Sequence, residues 1–146
     1  MYRISTALTY CEWALEFMAV FPICIITLLA AASLVWAAQK QHPFKDGLWR
    51  RHHWLALTHF LFFPFAILIG VVWENPAATW GIPHVPNPMA SRLLSCVFYG
   101  SLLSCVFWAW RMKGFRWYAV SLLTLVELPI YGAIFVAGMA ISGEWL

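Results

Sequence analysis

Charge is what this chain has least of. Only 10% of its 146 residues are charged, nine basic and six acidic, against roughly 25% in an ordinary soluble domain. Hydrophobic types make up 63% and aromatics 18%, more apolar surface than a water-soluble fold of this size can hide. The lipid bilayer is therefore the expected solvent. No composition shift marks a second module, so residues 1–146 read as one transmembrane domain. A net charge of +3 gives no basic patch of the kind nucleic acid requires.

Signature motifs are also lacking. The sequence has no Walker loop, nucleophile elbow, di-histidine zinc helix, His-box cluster or selectivity-filter signature. That disfavours a self-contained hydrolase or channel, and an enzyme acting on its own is the less favoured class. Cysteine occurs four times, at Cys11, Cys24, Cys96 and Cys105, with no C-x-x-C pair and no His at zinc-finger spacing. Three lie inside apolar runs, where a thiol behaves as a small hydrophobe, so no metal ligand is expected. The start places Glu12 and Glu16 before the first long apolar run, unlike a cleaved signal peptide, and that run is expected to stay in the mature protein.

Long apolar runs are abundant. Phe17 to Ala38 is uncharged over about 22 residues, enough for a hydrocarbon core of roughly 30 Å. Similar runs follow at 54–73, 93–110 and 117–141, bounded by charges or by Trp and Tyr. The expected fold is an all-α antiparallel bundle of four transmembrane helices. Lys40, Lys45, Arg50 and Arg51 lie between the first two runs, and Arg111, Lys113 and Arg116 between the last two, with only Arg3 and Arg92 opposite. The positive-inside rule puts both basic connections in the cytoplasm and both termini on the non-cytoplasmic side, as in a multi-pass protein of a bacterial inner (cytoplasmic) membrane. Most of the ten Trp sit at run boundaries as interface anchors. The connection from Asn75 to Pro88 holds four prolines and reads as a stiff, non-helical loop.

Glu127 is the sharpest feature. It falls about 16 Å past Arg116, near the membrane midplane, where an ionised carboxylate costs about 2.5–3.5 kcal/mol on insertion scales. It should face other helices, protonated or paired. Pro129, two residues on, cannot donate to the Leu125 carbonyl, so the pair reads as a polar notch with a kink. Pro22 and Pro64 suggest kinks in two further helices. The candidate ligand or proton-relay set is Glu127, His59, Thr58, Glu12 and Glu16; a packing hydrogen bond for Glu127 and a solvated acidic end for Glu12 and Glu16 are the plainer readings. Arg50, Arg51, His52 and His53 form a basic girdle suited to lipid headgroups. His52 and His59 are seven apart, the wrong spacing for one metal, and no other run offers a histidine for an intramolecular bis-His haem. Gly100 with Ser104, and Ala133 with Ala137, are small-xxx-small seams for close helix contact.

The size and topology resemble the four-helix membrane glutathione-transferase-like enzymes, which share a basic cytoplasmic connection after the first span. The Asn and Glu expected early in their second span and the Arg within their third are missing here, so the resemblance implies no active site. The leading expectation is a small subunit or anchor of a larger membrane complex, such as one of electron transport, binding partner helices and lipid or quinone, or sharing a haem with another subunit. A membrane enzyme or carrier for a lipophilic substrate, with its site around Glu127 and His59, is the competing class. A homo-oligomeric proton- or ion-coupled transporter using Glu127, Glu12 and Glu16 is the third.

Overall fold

A computed structural model describes residues 2–16, 21–41, 58–74, 87–112 and 114–143. Among these, regular structure is helical throughout, with no strand. The helices are α1 (Tyr2–Glu16), α2 (Phe21–Gln41), α3 (Phe62–Val72), α4 (Pro88–Arg111) and α5 (Arg116–Ser142). Three of them, α2, α4 and α5, are long and apolar enough to cross a membrane, and α3 is a shorter apolar helix.

Prolines set several of the boundaries, and here the sequence expectations need correction. Pro22 is the second residue of α2 and Pro64 the third of α3. In a first turn the missing N–H has no intrahelical partner to lose, so neither proline sits where it would bend a helix midway. Pro64 also explains why the run 54–73 is not one regular helix over its described part. A helix running through it would need a donor to the Phe60 carbonyl, which proline lacks. That carbonyl instead accepts from the Phe63 N–H at 3.1 Å, and Leu61 N–H donates to the Thr58 carbonyl at 3.2 Å. The result is a turn at 60–61, between the helical residues 58–59 and α3.

Pro88 does not end the preceding loop but opens α4, five residues earlier than the apolar run suggested. Asn87 caps it, its side-chain oxygen accepting from Met89 N–H at 2.9 Å and Ala90 N–H at 3.4 Å, with proline favoured at the first helical position. Pro129 is the interior case: it is buried, and α5 continues through it to Ser142. Gly143, at φ 73°, ends the helix in a left-handed cap, its N–H donating to the Met139 carbonyl at 2.8 Å.

Ahead of the first apolar run lies a further helix. Residues 2–16 form α1, and α2 covers Phe21–Gln41 of the first run, whose residues 17–20 lie outside the described residues. Helix α5 packs against each of the other four. Small residues permit this: Ala133, Ala137 and Ala140 are at most 1% exposed, Ala30 and Ala37 are the buried positions of α2 two turns apart, and Gly70 of α3 lies where an added Cβ would come within 2.9 Å of the Ala137 Cα. Gly132 lies directly against the Ala14 backbone carbonyl of α1. In lipid, where apolar burial gives little drive between helices, such close approach supplies the dispersion contacts that hold them together.

Contacts also give directions. His59 and Gly70 meet Glu127 and Ala137 respectively, so α3 runs parallel to α5, while Ala14 against Gly132 and Tyr10 beside Gly70 and Ala137 make α1 antiparallel to it. Replacing Gly132 or Gly70 with Ala is expected to destabilise the protein by about 1–3 kcal/mol through overpacking. Gly138→Ala, whose new Cβ would meet only Leu94 at 3.9 Å, should be near neutral. Reversible unfolding in mixed detergent micelles checks both.

Candidate functional site

The turn created ahead of Pro64 presents His59 to the interior, where it is 1% exposed. Its ring lies edge-on to Phe62, centroids 5.5 Å apart. From α5, Glu127 reaches it: a helical side chain leans toward its own N-terminus, which carries the carboxyl from its backbone position toward the Arg116 end. His59 Nε2 and Glu127 Oε2 are 2.6 Å apart. From α4, Ser101, Ser104 and Cys105, at i, i+3 and i+4, share one face. Ser101 Oγ is 2.6 Å from Glu127 Oε1, Ser104 Oγ is 3.0 Å from His59 Nδ1, and Cys105 Sγ lies 3.6 Å from Glu127 Oε2 and 3.5 Å from His59 Nε2.

Both carboxyl oxygens and both ring nitrogens are thus engaged, which answers the cost of placing Glu127, 5% exposed, away from water. The Ser101 hydroxyl has one hydrogen and two acceptors in reach, Glu127 Oε1 and the Phe98 carbonyl at 2.8 Å. When it donates to Phe98, the short contact to Glu127 requires the carboxyl to donate instead. One proton can therefore occupy different positions without any heavy atom moving far. The arrangement is not a nucleophile triad: Glu127 and Cys105 both approach Nε2, whereas the acid of a triad would hold Nδ1.

Beside this cluster, α2, α4 and α5 line an apolar cavity of about 680 Å³ that is open on one side. Ile23, Ile26, Leu102, Val106, Leu123 and Leu128 supply most of its wall, with Cys105, Thr124, Glu127 and Tyr131 as its polar points. The volume lies within the range of ligand sites, roughly 300–1,000 Å³.

Of the residues singled out from sequence, the fold brings Glu127 and His59 into contact. Thr58 is exposed beside His59. Glu12 and Glu16 are exposed on α1 and take no part in the cluster. Arg50, Arg51, His52 and His53 lie outside the described residues. One expectation is corrected. Cys105 is not a bystander in an apolar run but a member of the polar cluster. In the sequence, metal spacing is readable within single segments only; His59, Cys105 and Glu127, from three segments, bring possible ligand atoms within 4.8 Å of one another. Ser101, Ser104, Cys105 and Tyr131 were missed. The first three lie at helical spacing on one face of α4, but Ser91 and Ser95 of the same helix carry similar polarity, so spacing alone does not single them out.

Comparisons of the chain with family models, curated proteins and solved structures find no match. Glu127→Leu should cost about 1–3 kcal/mol by stranding His59 and Ser101, while Glu127→Gln, which keeps two of the same contacts in place, should cost less. Unfolding of the two variants side by side in detergent measures the difference.

Proposed function

We propose that this chain is a small membrane enzyme or carrier that takes a lipophilic molecule into the cavity between α2, α4 and α5 and presents its polar end to Glu127. The observation that carries this reading is the opening of an apolar cavity of about 680 Å³ onto Glu127 and Cys105. A lipid tail or isoprenoid suits the walls, and a hydroxyl, carbonyl or quinone oxygen suits the carboxyl and its proton. An anchor that only holds partner helices needs no cluster of five polar side chains, three of them buried and two half-buried. On that ground the lipophilic-substrate reading moves ahead of the subunit reading favoured by the sequence.

The partner-subunit or homo-oligomer reading keeps one observation in its favour. Ala14 lies against Gly132, so Glu16 sits roughly 20 Å from the Arg116 end of α5, inside a hydrocarbon core of roughly 30 Å. It is exposed there, as is Leu15. An acid at such a depth calls for a neighbouring helix or a polar headgroup.

Within the proposal the chain crosses an inner membrane four times. The run 54–73 makes the second crossing, the basic connections face the cytoplasm, and both termini face out. A C-terminal alkaline phosphatase fusion expressed in a bacterium should be active and a C-terminal GFP fusion dark; the reverse pattern would overturn the orientation. For the cavity, a diazirine-bearing long-chain fatty alcohol should crosslink to α4 and α5 residues of the purified protein. Leu123→Trp, which fills the cavity, should reduce labelling about tenfold, or about 1.4 kcal/mol. Labelling spread evenly over all lipid-facing helices and unchanged by Leu123→Trp would refute the binding site.

A further inference from the structure

We infer that His59 Nε2, Cys105 Sγ and Glu127 Oε2 form the three-ligand half of a buried zinc-type divalent metal centre whose fourth position faces the apolar cavity. The distances carry the inference. With metal–sulfur near 2.3 Å, metal–nitrogen near 2.0–2.1 Å and metal–oxygen near 2.0–2.2 Å, a tetrahedral site separates sulfur from nitrogen or oxygen by roughly 3.5 Å and nitrogen from oxygen by roughly 3.3 Å. The two sulfur edges are already 3.5 and 3.6 Å. Only the third edge, 2.6 Å across the His59–Glu127 hydrogen bond, is short. It has to open by about 0.7 Å as the metal replaces a proton between the two groups.

The surroundings supply what such a ligand set needs. A ligating imidazole donates its other N–H to a fixed acceptor, and Ser104 Oγ stands 3.0 Å from His59 Nδ1. The carboxyl oxygen not used by the metal is held by Ser101 at 2.6 Å. Charge also balances: a divalent ion with one thiolate, one carboxylate and a neutral imidazole sums to zero, so the filled site can lie deep in a low-dielectric environment at less cost than a lone carboxylate. Binding displaces the Cys105 thiol proton together with the proton shared by His59 and Glu127. Thiolate, imidazole and carboxylate together select a borderline-soft ion of the zinc class over magnesium or calcium.

Three protein ligands leave a position open, as in catalytic rather than structural zinc sites. Cys105 and Glu127 both line the cavity, so an exchangeable ligand there comes from it. In this last respect the inference rests on the proposed function; the metal itself does not.

The full chain, purified in mild detergent and stripped with chelator, is titrated with Co²⁺ and then Zn²⁺. One Co²⁺ per chain should bind, giving intense tetrahedral d–d bands and a thiolate-to-metal charge-transfer band, both lost on displacement by Zn²⁺. Cys105→Ser should remove the charge-transfer band and, like Glu127→Gln, weaken binding about tenfold or more, with Ser104→Ala weakening it about tenfold. Cys105→Ser and Glu127→Gln are near-isosteric, so at least one should retain the wild-type circular dichroism and elution and can be read. Substoichiometric binding, no charge-transfer band, or unchanged affinity in Cys105→Ser would overturn the metal centre. Leu123→Trp separates the two ideas: retained Co²⁺ spectra with lost fatty-alcohol labelling supports both. Labelling without any Co²⁺ site sinks the metal alone, and a Co²⁺ site without cavity labelling sinks the lipophilic ligand alone.

Discussion

Glu127 is the constraint around which the rest of this molecule is arranged. A carboxyl on an apolar helix, roughly 16 Å from the nearest basic turn, must be fully engaged or be paid for in stability. Every oxygen and nitrogen in its cluster has a neighbour. That requirement fixes the rotation of α4, which has to point Ser101, Ser104 and Cys105 inward, and the position of the turn beside His59. The turn in turn depends on Pro64, because a regular helix continuing through 58–61 would leave the Phe60 carbonyl without a donor.

The same logic of close approach runs through the packing. Helix α5 can be central because glycine and alanine let α1 and α3 come almost into backbone contact at Gly132 and at Gly70 with Ala137. Helix α2 also packs on α5 through Ala30 and Ala37, and the cavity lies where Ile23 and Ile26, near the start of α2, face α4 and α5. Glu127 therefore stands between a hydrogen-bonded polar cluster and an open apolar space.

Much of this was legible in the sequence for identifiable reasons. An acid within an uninterrupted apolar run is costly wherever the run folds, so Glu127 stood out without coordinates. His59 drew attention for a similar reason, as a titratable group just inside an apolar stretch. Cys105 and the two serines did not. Each is an ordinary occupant of a membrane helix, and what makes them matter is the face they share and the residue opposite. The prolines misled in the other direction. A proline in an apolar run looks like a kink, but whether it lies in a first turn or an interior one depends on where the helix starts, as Pro22 and Pro64 show.

Composition and periodicity by themselves determined that the chain is helical and apolar enough to cross a membrane, because backbone hydrogen bonds in lipid have to be satisfied within each segment and that rule acts locally. They also determined that Glu127 must be buried among helices. The tertiary structure decided what meets it: His59 from 68 residues earlier, Ser101 and Cys105 from the helix between, and a cavity against α2. Those partners are set by helix rotation and by the depth at which each helix begins. These are properties of packing between segments, and no single stretch of sequence records them.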